Sequence, residues 1–433
     1  MRRNTRPALR VFLACLASTL LLTLAVTAHA PVRVVAVGDV HGAFPELVAI
    51  LQRTMLIDAN RQWAGGSATL VQTGDVLDRG ARSRECLDLV IELERQAEKA
   101  GGTVIPLLGN HEAMNLMGDV RYVTPDIYRT FATDRSDKVR EQAYQDYMTF
   151  LAAHREHGHA VVVTDDEAWR QKWMDAHPPG FFEYRDAFGP AGKYGRWIRQ
   201  HHAVIQIGDA VFVHGGLNPA LPFGSVAELN EKVRSELAGF DTVWQALAGR
   251  KVIWRYMKLA EAIQHVGEEL KWIQARGRAG DPETAQEMQK LLGYKSWMAV
   301  SSDGPLWYRG LAQDPEEKLT TGLTAMLTRL GAQYIVMGHT VQSTFEITPR
   351  FANHVFLMDT GMLKEEYKGR ASALEIRDGR LTAYYADGEP KVLEPPARSK
   401  TARLPTLDSR GTRQAAYPRA PARRMRGSIA SVK

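Results

Sequence analysis

The segment VRVVAVGDVHG, residues 32–42, sets the fold class. Its first half, 32–37, is a β-branched apolar run of strand length, and its second half turns abruptly to glycine, a carboxylate and an imidazole. The pattern recurs twice. Residues 68–72 run into Gly74-Asp75-Val76-Leu77-Asp78-Arg79-Gly80, and residues 103–108 run into Gly109-Asn110-His111-Glu112. Between these strands, 45–55 and 83–100 carry apolar residues at helical spacing, with Ser83 a candidate N-cap and Gly101-Gly102 a stop. The alternation predicts a β-α-β-α-β opening and an α/β layered core. All three polar clusters then lie at carboxyl ends of strands, where such sheets bind ligands.

Farther along, 203–207 and 210–213 predict a hairpin turning at Gly208-Asp209 and ending in His214-Gly215-Gly216. Residues 332–337 repeat the strand pattern before Gly338-His339. Hairpins implied at 354–358 and at 373–386, the latter turning at Asp378-Gly379, are expected to complete a second sheet. The strand count predicts a two-sheet β-sandwich flanked by helices. Two charged, aromatic stretches, about 119–200 and 218–298, are helical in pattern instead and predict a cap beside the site. No internal repeat points to a solenoid.

Asp39 and His41, two residues apart at a strand end, can chelate one hard or borderline metal ion. Asp75 adds a carboxylate able to bridge two ions, and two cations about 3.5–4 Å apart can hold a shared hydroxide that is nucleophilic at neutral pH. Asn110 offers a neutral oxygen ligand, while His111 beside it is free to protonate a leaving oxygen. His214 and His339, each at a strand end, finish the ligand count. A single Asp or His beside glycine is more often a turn former. Five strand ends that each present Asp, His or Asn beside glycine exceed what turn chemistry explains. A mixed Asp, Asn and His set suits manganese, iron and zinc alike. His154, His157 and His159, and the pair His201-His202, have no carboxylate in a comparable glycine setting and read as solvated or structural. Trp169, Trp173, Phe181 and Phe182 read as cap packing rather than as a stacking surface for substrate.

The series GDVHG, GDVLDRG, GNHE, HGG and GHT resembles the calcineurin-like metallophosphoesterases, and within them the phosphoprotein phosphatase branch. Tyr194-Gly195-Arg196-Trp197, the hairpin into Phe212-Val213-His214-Gly215-Gly216-Leu217, and Ser302-Asp303-Gly304-Pro305-Leu306-Trp307-Tyr308-Arg309-Gly310 are most similar to the Shewanella-like protein phosphatases. The resemblance runs from about residue 34 to 361, interrupted by the two helical stretches. It implies that Asp39, His41 and Asp75 bind a first metal ion and that Asp75, Asn110, His214 and His339 bind a second, with Asp75 as the bridge. It further implies His111 as general acid with Asp78 behind it, and Arg79 and Arg309 as holders of the phosphate oxygens, a role that suits arginine's planar fork. The implied activity is metal-dependent hydrolysis of phosphomonoesters, on phosphotyrosine or phosphoserine/threonine, without a covalent intermediate. Val341 stands where many phosphodiesterases of the superfamily have a second histidine, a departure that protein phosphatases share. A phosphatase of nucleotides or dinucleoside polyphosphates would use the same site. A non-enzymatic binding protein is the alternative from a different class.

At 433 residues and 45% hydrophobic content the chain can bury a sizeable core. Arg2, Arg3, Arg6 and Arg10 precede an apolar run at 11–26 and then Ala28-His29-Ala30, the order of a secretory signal peptide over residues 1–30, with cleavage after Ala28 or Ala30. Export to the periplasm is the expectation. A membrane anchor is the weaker alternative, because the run falls short of the roughly 20 residues that span a bilayer. The two cysteines are Cys15, inside that leader, and Cys86, so the mature chain has no intramolecular disulfide. Of the net charge of +6, the leader carries +4 and residues 398–433 carry +9, leaving the catalytic body, 31–397, acidic at −7. An acidic body argues against nucleic acid as a partner. The basic tail at 398–433 reads as disordered and solvated, with contact to an anionic surface as the alternative.

Overall fold

The computed structural model describes residues 33–154, 166–275 and 281–397. The leader, His157, His159 and the basic tail lie outside the described residues. The opening strands form where the apolar runs are: β1 (Arg33–Val37), β2 (Thr69–Gln72) and β3 (Thr103–Pro106) pair in parallel register. They are joined by α1 (Phe44–Arg53) and α2 (Ser83–Lys99). The residues of β1 alternate between two apolar layers. Val34 and Ala36 face the second sheet, whereas Val35 and Val37 pack among the helix residues Leu47, Ile50 and Leu87. Burial on both faces is why the run reads as continuously apolar. Ser83 is the first residue of α2 rather than its N-cap; its hydroxyl donates to the carbonyl of Gly80.

The second sheet contains β4 (Val204–Ile207), β5 (Ala210–Val213), β6 (Tyr334–Met337), β7 (Thr348–Arg350) and β8 (Val355–Leu357), ordered β4-β5-β6-β8-β7. Strands β5, β6 and β8 run parallel to one another. One expectation is corrected here. The hairpin at 373–386, now β9 (Ser372–Arg377) and β10 (Arg380–Tyr385), joins the first sheet and not the second. It lies antiparallel along β1, and its backbone fills an edge of β1 that would otherwise leave buried N–H and C=O groups unpaired. With β11 (Lys391–Leu393) the first sheet is ordered β11-β10-β9-β1-β2-β3. Between the sheets lie Val34, Val71, Phe212, Val336, Phe356, Leu374 and Leu381, all buried. Each of these larger side chains contributes about 1.5–3 kcal/mol of burial.

After β3 the chain enters α3 (Asn110–Leu116) and then the first helical stretch: α4 (Pro125–Arg129), α5 (Ser136–Ala153), α6 (Glu167–Ala176), α7 (Phe181–Phe188) and α8 (Lys193–Ile198). Trp173, Phe181 and Phe182 are buried there, in ring contacts with Tyr144, Tyr147, Tyr128 and Trp254, which fixes them as packing residues. His154 and His201 are buried rather than solvated, the first against Phe150 and the second edge-on to Trp197. The second stretch forms α9 (Val226–Gly249), α10 (Leu259–Ala275) and α11 (Pro282–Leu292). Asn230 of α9 accepts from the N–H groups of Ala203 and Val204 and donates to the Val204 carbonyl, closing the exposed edge of β4. The chain then passes through α12 (Gly310–Gln313), α13 (Glu316–Leu330) and, after β8, the single turn α14 (Lys364–Tyr367). Among the described residues no helix is long and apolar enough to cross a membrane.

Candidate metal centre

The carboxyl ends of β1, β2, β3, β5, β6 and β8 open on one cleft of about 340 Å³. Asp39, His41, Asp75, Asn110, His111 and His339 line it together with Arg79 and Arg309. His214 lies immediately beneath, fully buried, and Asp78 stands behind His111, also fully buried. Every residue read as a ligand, proton donor or phosphate holder therefore falls on one site. The turns are tight: His41, Asp75, Asp78, Arg79 and His339 all have left-handed φ, between 48° and 72°. For non-glycine residues this conformation is costly and persists only where surrounding contacts enforce it. Glycine at 109 and 338 is a matter of space. A Cβ on Gly109 would stand 2.2 Å from Asp75 Oδ1, and one on Gly338 the same distance from Asp39 Oδ1.

Hydrogen bonds aim the ligands. His41 and His214 each turn Nδ1 to a backbone carbonyl, of Leu77 and Thr73 respectively, both at 3.0 Å. With the proton on Nδ1, the lone pair on Nε2 faces the cleft, the arrangement that prepares an imidazole for a metal ion. Asp39 accepts from the His339 N–H through both oxygens, at 3.0 and 3.2 Å, and Asp75 Oδ1 accepts from the His111 N–H at 2.9 Å. Asp75 Oδ2 is left pointing at three imidazoles, 3.3 Å from His214 Nε2, 3.7 Å from His41 Nε2 and 3.9 Å from His111 Nε2.

The donor set fits divalent cations on two independent observations. First, His214 Nε2 lies 2.9 Å from Asn110 Oδ1 and 3.1 Å from His339 Nδ1, so lone-pair atoms crowd together where only a cation or a proton between them makes the contact favourable. Second, His339 Nε2 is buried with no hydrogen-bond partner among the described residues. Two groups bring ligand atoms close enough together to hold an ion, His41-Asp75-His111 and Asp75-His214-His339, and they share Asp75. A dinuclear centre with Asp75 common to both halves is the arrangement this supports.

Electrostatics separate the imidazoles. Burial lowers His41 to about 3 and His339 to about 2, so both imidazoles are neutral at any physiological pH. Burial pulls His214 down as well, but the charges of Asp75 and Asp39 outweigh it and raise it to about 9. A cation entering there displaces that proton. His111 is likewise opposed by burial, yet the charge of Asp75 and the hydrogen bond to Asp78 hold it above the ordinary histidine value. Asp39 is raised well above the carboxylate range by burial and then by Asp359, while burial alone accounts for most of the rise of Asp359 to about 6.

Four functional residues escaped the sequence reading. Glu112 accepts from the N–H groups of Asp75, Val76 and Gly109 at 2.7, 2.9 and 2.8 Å and so fixes the turn that carries Asp75. Its signal was present, since an acid at the third position of a helix closes a capping box on the residue before the helix, here Gly109. Asn115 Nδ2 holds both oxygens of Asp78 at 3.0 Å, and Tyr184 donates to Asn115 Oδ1 at 2.6 Å. Asp359 lines the cleft beside Asp39. Neither Tyr184 nor Asp359 has a local sequence signal.

The cleft and its ligands can be set beside known proteins. The model of the calcineurin-like phosphoesterase family matches residues 32–229. The Shewanella-like protein phosphatase 2 of Arabidopsis thaliana is 32% identical over 254 residues, which is 54% of this chain and 60% of that protein. The Shewanella-like protein phosphatase 1 of Plasmodium berghei is 24% identical over 334 residues, 76% of this chain and 67% of that one. Among solved structures, a cold-active protein-tyrosine phosphatase of a psychrophilic Shewanella superposes with a TM-score of 0.52 at 24% identity, covering 84% of this chain and 81% of that chain. At that identity the superposition bears on the fold.

Proposed function

We propose that this chain, which carries a calcineurin-like metallophosphoesterase domain, is a metal-dependent phosphoprotein phosphatase acting on phosphotyrosine or phosphoserine/threonine. The observation that carries the reading is the convergence of one donor set and two arginines on a single cleft. Asp39, His41 and Asp75 would hold one ion, and Asp75, Asn110, His214 and His339 the other. When bound, two such cations supply a water that is nucleophilic at neutral pH and neutralise charge on the phosphoryl group.

The remaining work belongs to side chains. Arg309 Nη1 is anchored on the His339 carbonyl at 2.7 Å and on Thr340 Oγ1 at 3.0 Å, which leaves the rest of its fork for phosphate oxygens. Arg79 donates to His41 Nε2 at 2.6 Å, so that nitrogen already accepts from a cation. Exchange of this donor for a metal ion frees Arg79 for the substrate. Its guanidinium lies over the rings of Tyr122 and Tyr367, at 4.8 and 5.5 Å, which keeps it at the mouth of the cleft. His111 carries the proton for the leaving oxygen. Asp78 accepts from its Nδ1 at 2.7 Å and keeps it charged and oriented.

The test is a kinetic comparison of the full chain with Mn²⁺ on phosphotyrosine, phosphoserine and phosphothreonine peptides, on nucleotides and on a dinucleoside polyphosphate. Phosphopeptides should show the highest kcat/KM; preference for the dinucleoside polyphosphate would overturn the phosphoprotein reading. The basic, apolar first thirty residues support export, which N-terminal sequencing of the mature protein from a periplasmic fraction would check.

A further inference from the structure

We infer that Asp359 is a further carboxylate of the metal centre, holding the ion beside Asp39 from the second sheet, directly or through one ordered water. The inference rests on the two-ion reading above. Asp359 follows β8, third of the parallel strands of the second sheet, at the same edge that supplies His214 and His339. The ends of β1 and β8 abut: a Cβ on Gly38 would stand 2.9 Å from the Met358 carbonyl oxygen. The next residue in each strand is Asp39 and Asp359, so the two carboxylates sit side by side in the cleft wall. Both are buried, with 4% and 3% exposure.

A turn-forming role accounts for only half of this carboxyl group. Asp359 Oδ1 accepts from the Gly361 N–H at 3.0 Å, a local bond that asparagine would make equally well. Among the described residues no hydrogen bond or ion pair reaches Oδ2 of this cleft-lining carboxylate. Two buried carboxylates side by side repel each other, and burying a charge without a partner is expensive. A cation between Asp39 and Asp359 turns that repulsion into attraction. Coordination points the same way. The second ion has four donors in Asp75, Asn110, His214 and His339, whereas the first has three, and oxygen-rich divalent sites take more ligands than that. Arg309, a cationic side chain that lines the cleft with Asp359, donates through Nη1 to His339 and Thr340, and among the described residues it makes no hydrogen bond to Asp359.

Metal-free full-length protein and Asp359→Asn are titrated with Mn²⁺ by calorimetry at pH 7, a measurement independent of turnover. Wild type should bind two ions. Asp359→Asn should bind one of them about 10–100-fold more weakly, the usual effect of losing a supporting group at a metal site. Unchanged affinity for both ions would overturn the inference and leave the two-ion reading intact. Fewer than two ions on wild type would overturn both. If circular dichroism shows Asp359→Asn unfolded, Asp359→Ser, which still accepts from Gly361, is titrated against the same criterion.

Discussion

Asp78 touches no atom that reacts, yet the proton on His111 depends on it. Burial raises Asp78 above the ordinary carboxylate value, and the hydrogen bond to His111 works against that rise, so the two groups share one proton's worth of stabilisation. His111 is raised above its ordinary value, so it is charged below its pKa and loses its proton as pH climbs through it. Asp78→Asn removes part of that stabilisation, and the falling limb of the rate profile on an alkyl phosphate should move to lower pH. The plateau should fall by at least about tenfold, short of the roughly 10²–10⁴ lost when general acid–base help is removed altogether. On an aryl phosphate, whose leaving group needs less help, the loss should be smaller. An unshifted limb would show that Asp78 only packs. At this scale the candidate ligands were legible because each stands beside glycine at the end of an apolar run. Asn115 and Tyr184 were not, because what defines them is contact with Asp78 across 37 residues and with each other across 69.

Elements bring these residues together, and where they touch leaves little tolerance. The turns after β2 and β3 pass so closely that a methyl group on Gly109 would meet Asp75 Oδ1 and Asp75 N, at 2.2 and 2.4 Å. Gly109 has an ordinary φ of −96°, so alanine is excluded there by space and not by conformation. Gly109→Ala should lower stability to urea by about 1–3 kcal/mol through overpacking and weaken Mn²⁺ binding by displacing the shared carboxylate. Wild-type binding with lowered stability would mean that the turn yields without moving Asp75. A second contact joins α2 to α8, where the indole N–H of Trp197 donates to Glu94. Burial lifts Glu94 from its ordinary 4.5 to about 6, and that hydrogen bond offsets only part of the rise. The folded state thus binds the proton more tightly than the unfolded chain, and stability falls as pH rises between those two values and stays lower above them. Glu94→Gln, whose carbonyl still accepts from the indole, should flatten that window and stabilise at pH 7 by about 1 kcal/mol. Equal pH dependence in both proteins would refute it. The sequence resolved the buried parallel strands, whose runs are apolar on both faces, but put the 373–386 hairpin in the wrong sheet. Alternation and an Asp-Gly turn identify a hairpin; which open edge it covers is decided by β1, more than 300 residues earlier. The three-residue strands β7 and β11 are too short for any periodicity to register.

For the molecule as a whole, the centre is a seam between two sheets. Asp39, Asp75 and Asn110 follow strands of the first sheet, and His214 and His339 follow strands of the second. The apolar layer between the sheets holds them together without help from the site. At the cleft, however, Asp39 and Asp75 repel, and against burial their charges raise His214 to about 9, so that it holds a proton beside them. Each cation bound there offsets the repulsion between these carboxylates, draws on donors from both sheets and binds the folded chain alone. Mass action then sets the size of the effect: about 2.7 kcal/mol for each site at a free-ion concentration 100 times its Kd. Mn²⁺ should therefore raise the Tm of the full chain by several degrees, and a chelator should reverse the rise. Asp75→Asn separates this from general salt effects. It removes the ligand common to both ion clusters while keeping an oxygen to accept from the His111 N–H. Most of the Mn²⁺-dependent rise should vanish in that variant, and its Tm in chelator should fall below that of wild type, because, against burial, the charges of His214 and His111 hold the Asp75 carboxyl well below the ordinary carboxylate value, so its ionised form stabilises the fold. A rise that survives Asp75→Asn undiminished would place the stabilising ions elsewhere on the molecule.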